Sequence, residues 1–133
     1  MGVIVVDASA MTEFLLQTPL GLKVEARLLR GSEEFHVPHL LDVEVAQALR
    51  GLVRRRELST ERAEEALADL ADFDLRRHAH VDLLARVWEL RDNLTSYDAV
   101  YVALAEAIAS PLVTCDAPLG AAPGHTARIE VVR

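Results

Sequence analysis

The chain has 133 residues, 51% hydrophobic and 26% charged, enough apolar content for the core of one domain and too much for a disordered or fibrous chain. Its 21 acidic against 14 basic residues leave a formal charge of −7, which argues against a non-specific nucleic-acid coat or a binder of anionic membranes. Cys115 is the lone cysteine, excluding an internal disulfide or a thiolate zinc cluster, and no apolar run approaches the roughly 18 residues of a membrane span. With no basic-then-apolar leader, a single domain over residues 1–133 in the reducing cytoplasm is expected.

In chain order, Val3 to Val6 form a β-branched run that reads as a strand ending at Asp7. Ser9 is placed to cap a helix from about Ala10 to Leu16, and Thr18 with Pro19 opens a second helix ending near Arg30 and Gly31. Phe35 to Val37 read as a brief strand. From Leu40 to Arg56 a longer helix carries Leu41, Val45, Ala48, Leu49 and Leu52 on one stripe, and its last residues, Arg54 to Arg56, suit the negative end of the helix dipole. Ser59 caps a helix to about Leu70, a strand covers Leu75 to His78, and a helix spans about Val81 to Leu90. Thr95 or Ser96 caps a helix from Tyr97 to about Ala109, whose segment Ala99 to Ala105 is apolar without interruption and is therefore expected to be surrounded by protein. Strands at Leu112–Thr114 and Ile129–Val132 complete the pattern. Strands separated by helices imply parallel pairing, hence a three-layer α/β/α sandwich on a short, mainly parallel sheet.

In such sheets ligands bind outside the carboxyl ends of the strands. Asp7 directly follows the first strand and Asp116 the strand ending at Thr114, so both carboxylates emerge on one edge. Asp98 lies in the first turn of the apolar helix and Glu44 near the start of the long one. Each acid taken singly has an ordinary structural use, as a cap, a dipole partner or a turn former. Glu44 and Asp42 flank the apolar stripe about equally, and periodicity does not choose between them. Taken jointly, crowded carboxylates repel unless a cation sits among them, and an all-oxygen set suits Mg²⁺ or Mn²⁺. Phosphodiester hydrolysis is the chemistry such an ion supports.

At these segments the chain resembles the PIN-domain ribonucleases, and among them the VapC-type toxins of toxin–antitoxin pairs. VIVVDAS looks like the family's first strand and acid, which implies a metal-ligand role for Asp7 and a supporting one for Ser9. VPHLLDVEVAQAL is similar to its proline-then-helix motif and selects Glu44 over Asp42. LTSYDAVYVALAEA implies Asp98 as a site acid with Tyr97, Ala99 and Tyr101 packed around it, and PLVTCDAPL implies Thr114 as a hydrogen-bonding neighbour and Asp116 as an acid. The resemblance implies an endoribonuclease dependent on Mg²⁺ or Mn²⁺ that acts on RNA. Asp7, Asp98 and Asp116 would hold the metal, and Glu44 would join them or serve the attacking water. A homodimer and a small antitoxin that blocks the site are implied with it. The rival reading is a non-catalytic PIN-like module that binds RNA or protein.

Arg50, Arg54, Arg55, Arg56, Arg76 and Arg77 are candidates for phosphate contact, weighed against an ordinary solvated surface. The spacings His36/His39 and His78/His80 fit structural or surface histidines better than a metal site. Cys115 reads as a small buried hydrophobe and Trp88 as core or interface. Lys23 is the only lysine, so a receiver domain with its late strand-end lysine is excluded, and Ser9 stands where a dehalogenase-like phosphatase has its second aspartate.

Overall fold

The structure is a computed structural model that describes residues 2–133. Five strands, β1 (Val3–Val6), β2 (Glu34–Pro38), β3 (Leu75–His78), β4 (Leu112–Thr114) and β5 (Ile129–Val131), form one sheet in the order β3-β2-β1-β4-β5. Every neighbouring pair is parallel, with Val5 opposite both His36 and Leu112 in the register. Helices α1 (Ala8–Leu16), α2 (Pro19–Leu28), α3 (Leu40–Arg54) and α4 (Thr60–Asp72) connect β1 to β2 to β3 in one direction. After β3 a single 3-10 turn (Val81–Leu83), α5 (Leu84–Glu89) and α6 (Ser96–Ala107) carry the chain back to β4, and α7 (Ala117–Ala121) leads on to β5. With right-handed crossovers, this reversal puts α1–α4 on one face and α5–α7 on the other. Contacts divide the same way: α1 packs on α2, α3 and α4, whereas α6 packs on α5 and on β1, β2 and β4. The three-layer arrangement read from the sequence is the one observed, and the strand order reverses between β1 and β4.

The core lies on the two central strands. Ile4, Val5, Val6, Leu112 and Val113 are fully buried, and every residue from Ala99 to Ala105 is buried on α6, as its unbroken apolar run implies. Leu41, Val45 and Leu49 form the buried line of α3. α1 and α2 meet backbone to backbone: a Cβ at Gly21 would stand 1.9 Å from the Glu13 carbonyl oxygen. Among the described residues, no helix is long and apolar enough to cross a membrane.

Several local expectations are corrected. α1 starts at Ala8 with Asp7, not Ser9, as its N-cap, because the Asp7 carboxylate accepts from the Ala10 amide at 3.0 Å. α7, a helix not expected from the sequence, follows Asp116; proline at the start of a helix costs no hydrogen bond. α3 ends at Arg54, since Arg56 is left-handed at φ 59°. Trp88 is 66% exposed with the Arg91 guanidinium stacked 4.7 Å from its ring centre, so it is not core.

Candidate active site

Asp7 is the most buried of the four acids, at 5% exposure. One oxygen accepts from the Ala10 amide and from the Ser9 hydroxyl at 2.7 Å; the other accepts from the Thr114 hydroxyl. Position alone brings Thr114 there, because β4 pairs directly with β1. The same two hydroxyls bind the chain that leaves β4: the Cys115 amide donates to Ser9 Oγ and the Asp116 amide to Thr114 Oγ1, both at 3.0 Å. Ser9 and Thr114 therefore tie the two strand ends together through their hydroxyls.

Asp116 caps α7, accepting from the Leu119 amide at 3.3 Å. Asp98 sits in the first turn of α6, whose N-cap is Thr95: the Asp98 amide donates to Thr95 Oγ1 at 3.1 Å. Glu44 projects from α3 and accepts from the Tyr101 hydroxyl at 2.6 Å. Asp42 turns away, held in a two-point ion pair by Arg77 of β3 at 2.8 and 3.0 Å. Of the two acids, the structure brings Glu44 to the cleft and not Asp42. Tyr101 and Ala99 are buried neighbours as expected, but Tyr97 is 62% exposed.

Asp7, Glu44, Asp98 and Asp116 line one open cleft of about 630 Å³ at the carboxyl ends of β1 and β4. This is the crevice where the strand order reverses, the general ligand position of open α/β sheets. Burial pushes the Asp7 carboxyl above the usual carboxylate range, against the pull of its hydrogen bonds, and the Asp98 charge adds to the rise. Burial likewise raises Glu44, opposed by the Tyr101 hydroxyl and reinforced by Asp98 and Asp7; it raises Asp98 with the help of Asp116. The mutual repulsion defines a site short of positive charge.

The donor set is all oxygen, as Mg²⁺ and Mn²⁺ prefer. Among the described residues, no three acidic, histidine or cysteine side chains already stand as a closed coordination sphere. The open cleft fits a different kind of binding, in which an ion keeps several of its waters and takes only one or two carboxylates directly. On donor chemistry and space, the residues fit a hydrated Mg²⁺.

A fifth acid, Glu13 of α1, lines the same cleft and was not singled out in the sequence, where it reads as one polar position of an amphipathic helix. Its carboxylate takes the Thr18 hydroxyl, the cap of α2. Cys115 is half-buried on the cleft wall and packs against the core, and burial with the charges of Asp7 and Glu13 pushes its thiol up to about 11. Of the six arginines singled out, Arg55 alone lines the cleft. Arg77 is taken by Asp42 and Arg76 pairs with Glu34, while Arg50 and Arg54 border a separate groove between α3 and α4. The histidines associate across strands, not along them: His36 Nδ1 lies 2.7 Å from His78 Nε2, and the His39 and His80 rings stand edge to face.

The four acids stand at the switch point of a parallel α/β sheet, and the family model described as PIN domain matches residues 4–123. The chain belongs to the PIN-domain family. It is 44% identical to ribonuclease VapC1 of Mycobacterium tuberculosis over 130 residues, 97% of either chain. Among solved structures it is similar to M. tuberculosis VapC20, titled a sarcin–ricin loop cleaving toxin, with a TM-score of 0.69 at 16% identity over 89% of this chain and 93% of that one. It is equally similar, at 0.69 and 12% identity over 97% and 98% of the two chains, to a chain of VapBC2 from Rickettsia felis bound to a promoter DNA fragment. At those identities the structural likeness is one of fold.

Proposed function

We propose that this chain, acting as a single PIN unit over residues 1–133, is an endoribonuclease dependent on Mg²⁺ or Mn²⁺ and the toxin of a cytoplasmic toxin–antitoxin pair. The observation that carries the reading is the convergence of Asp7, Glu44, Asp98 and Asp116, from four separate elements, on one cleft. The relatedness to ribonuclease VapC1 over nearly the whole chain supports the reaction class.

Asp7, Asp98 and Asp116 are the residues that would hold the ion. When bound, a divalent ion supplies a Lewis acid for a phosphate oxygen and lowers the pKa of water beside it. Glu44 receives a proton from the attacking water: burial raises its basicity, and the Tyr101 hydroxyl fixes which of its oxygens faces the cleft. Ser9 and Thr114 hold Asp7 in one rotamer by donating to its two oxygens, so its charge is aimed before substrate arrives. The partner is a small antitoxin and a homodimer is the expected form, both implied by the resemblance to the VapC-type toxins. A cleft lined by unneutralised acids suits a cationic antitoxin segment.

The test is cleavage of a pool of structured RNA by the purified chain with Mg²⁺, Mn²⁺ or chelator. Asp7→Asn and Asp98→Asn are expected to lose at least about 100-fold in rate, as removal of a central charge from such a site does. Both keep their melting transitions. Undiminished cleavage by both variants overturns the site, and RNA binding without cleavage by the unaltered chain in either metal favours the non-catalytic module.

A further inference from the structure

Five carboxylates, Asp7, Glu13, Glu44, Asp98 and Asp116, face the cleft, and a polyanionic substrate must approach them. Against them stands one basic side chain of the cleft wall, Arg55, which follows the last turn of α3. Its side chain is 61% exposed and, among the described residues, is paired with Glu57 alone, with Nε 3.3 Å from the carboxylate. The guanidinium folds back over Gly51, one turn earlier, which also lines the cleft: a Cβ there would stand 3.1 Å from Arg55 Nη1. A glycine inside a helix costs about 1 kcal/mol relative to alanine. Here it leaves the space through which a cation reaches the edge of an acidic site.

We propose that Arg55 is the phosphate-binding residue of the cleft, gripping an RNA phosphate next to the one that is cut and so fixing the strand's register against the carboxylates; this rests on the ribonuclease reading. A planar guanidinium matches two phosphate oxygens at once, and Glu57 parks it until substrate competes. The contact forms in the ground state as well as in the transition state, so it belongs to binding and not to the chemical step.

Two readouts test it: the affinity for fluorescein-labelled single-stranded RNA by anisotropy in Ca²⁺, and kcat and KM for cleavage in Mg²⁺. Arg55→Ala is expected to weaken binding about fivefold or more, lower the salt slope by about 0.7, and raise KM with kcat held. Arg55→Lys recovers part of the affinity, Glu57→Gln tightens binding about twofold by releasing the guanidinium, and Arg76→Ala, an equal loss of charge on β3, changes neither readout. Equal losses in Arg55→Ala and Arg76→Ala, or a fall in kcat with KM held, overturn the proposal. If the unaltered chain binds RNA but does not cut it, the ribonuclease reading fails while the anisotropy of Arg55→Ala still decides this one; if it binds no RNA, both fall.

Discussion

Glu44 owes its orientation to a hydroxyl on another helix. Tyr101 is buried in the middle of α6, and its oxygen reaches out of the core to the Glu44 carboxylate at 2.6 Å. Tyr101→Phe keeps the ring and removes that bond, leaving a half-buried carboxylate without its donor. The expected outcome is a stability loss of about 1–2 kcal/mol by denaturant titration, with kcat reduced and KM unchanged. An unchanged kcat would show that Glu44 needs no such support. This pairing also marks the limit of what the sequence discloses. Periodicity gives Asp42 and Glu44 the same helical claim to the site; the resemblance of the proline-then-helix motif favours Glu44, and the tertiary partners, Arg77 for Asp42 and Tyr101 for Glu44, account physically for their different directions. Asp7 and Asp116 were legible because each ends an apolar β-branched run, a position that maps directly onto the sheet edge. Glu13 was not, since nothing local distinguishes an acid facing a cleft from one facing solvent.

At the scale of elements, α1 and α2 pack backbone to backbone, and Gly21 is the reason it is possible. Gly21→Ala places a methyl 1.9 Å from the Glu13 carbonyl oxygen, on rigid backbone, and is expected to cost about 3 kcal/mol in stability. Gly31→Ala, whose methyl would meet only the Glu33 side chain at 3.6 Å, is expected to cost nothing; equal effects would deny the tight helix pair. The helices themselves were readable from caps and apolar period, α6 most clearly because its run from Ala99 to Ala105 has no polar interruption. The misread elements are short ones. α7 spans only Ala117–Ala121 and carries both proline and glycine, which locally signal a turn, and it forms because Asp116 caps it and β5 packs against it.

For the whole molecule, the site has a measurable cost. Asp7, Glu44 and Asp98 have folded-state pKa values raised above their usual carboxylate values of about 4, so the folded chain binds protons more tightly than the unfolded one. Stability of the metal-free protein is therefore expected to fall as pH rises from about 4 through those raised values. Mg²⁺ binding opposes that fall by neutralising the site, and thermal melts with and without the ion are expected to diverge most at neutral pH. His78 acts in the opposite sense. Burial and the neighbouring His36 and His39 lower its pKa, so the unfolded chain binds the proton more readily and stability is lost as pH drops below about 6.5. Mg²⁺ leaves that acid-side loss untouched, which separates the two contributions; melts that shift equally with Mg²⁺ at every pH would contradict the assignment of the slope to the cleft.

Asp7 is at once the buried acid of the cleft and the cap of α1. On the toxin reading proposed above, that double duty shapes which disabling mutations survive as folded protein in the toxin's own host. Asparagine or serine at this position still accepts the Ala10 amide, so those replacements silence the chain while leaving a body that an antitoxin can hold. Leucine or lysine removes the cap as well as the charge and sends the product to proteolysis. Escape variants at this codon should accordingly fall into two groups of protein abundance, silent but plentiful and silent because scarce.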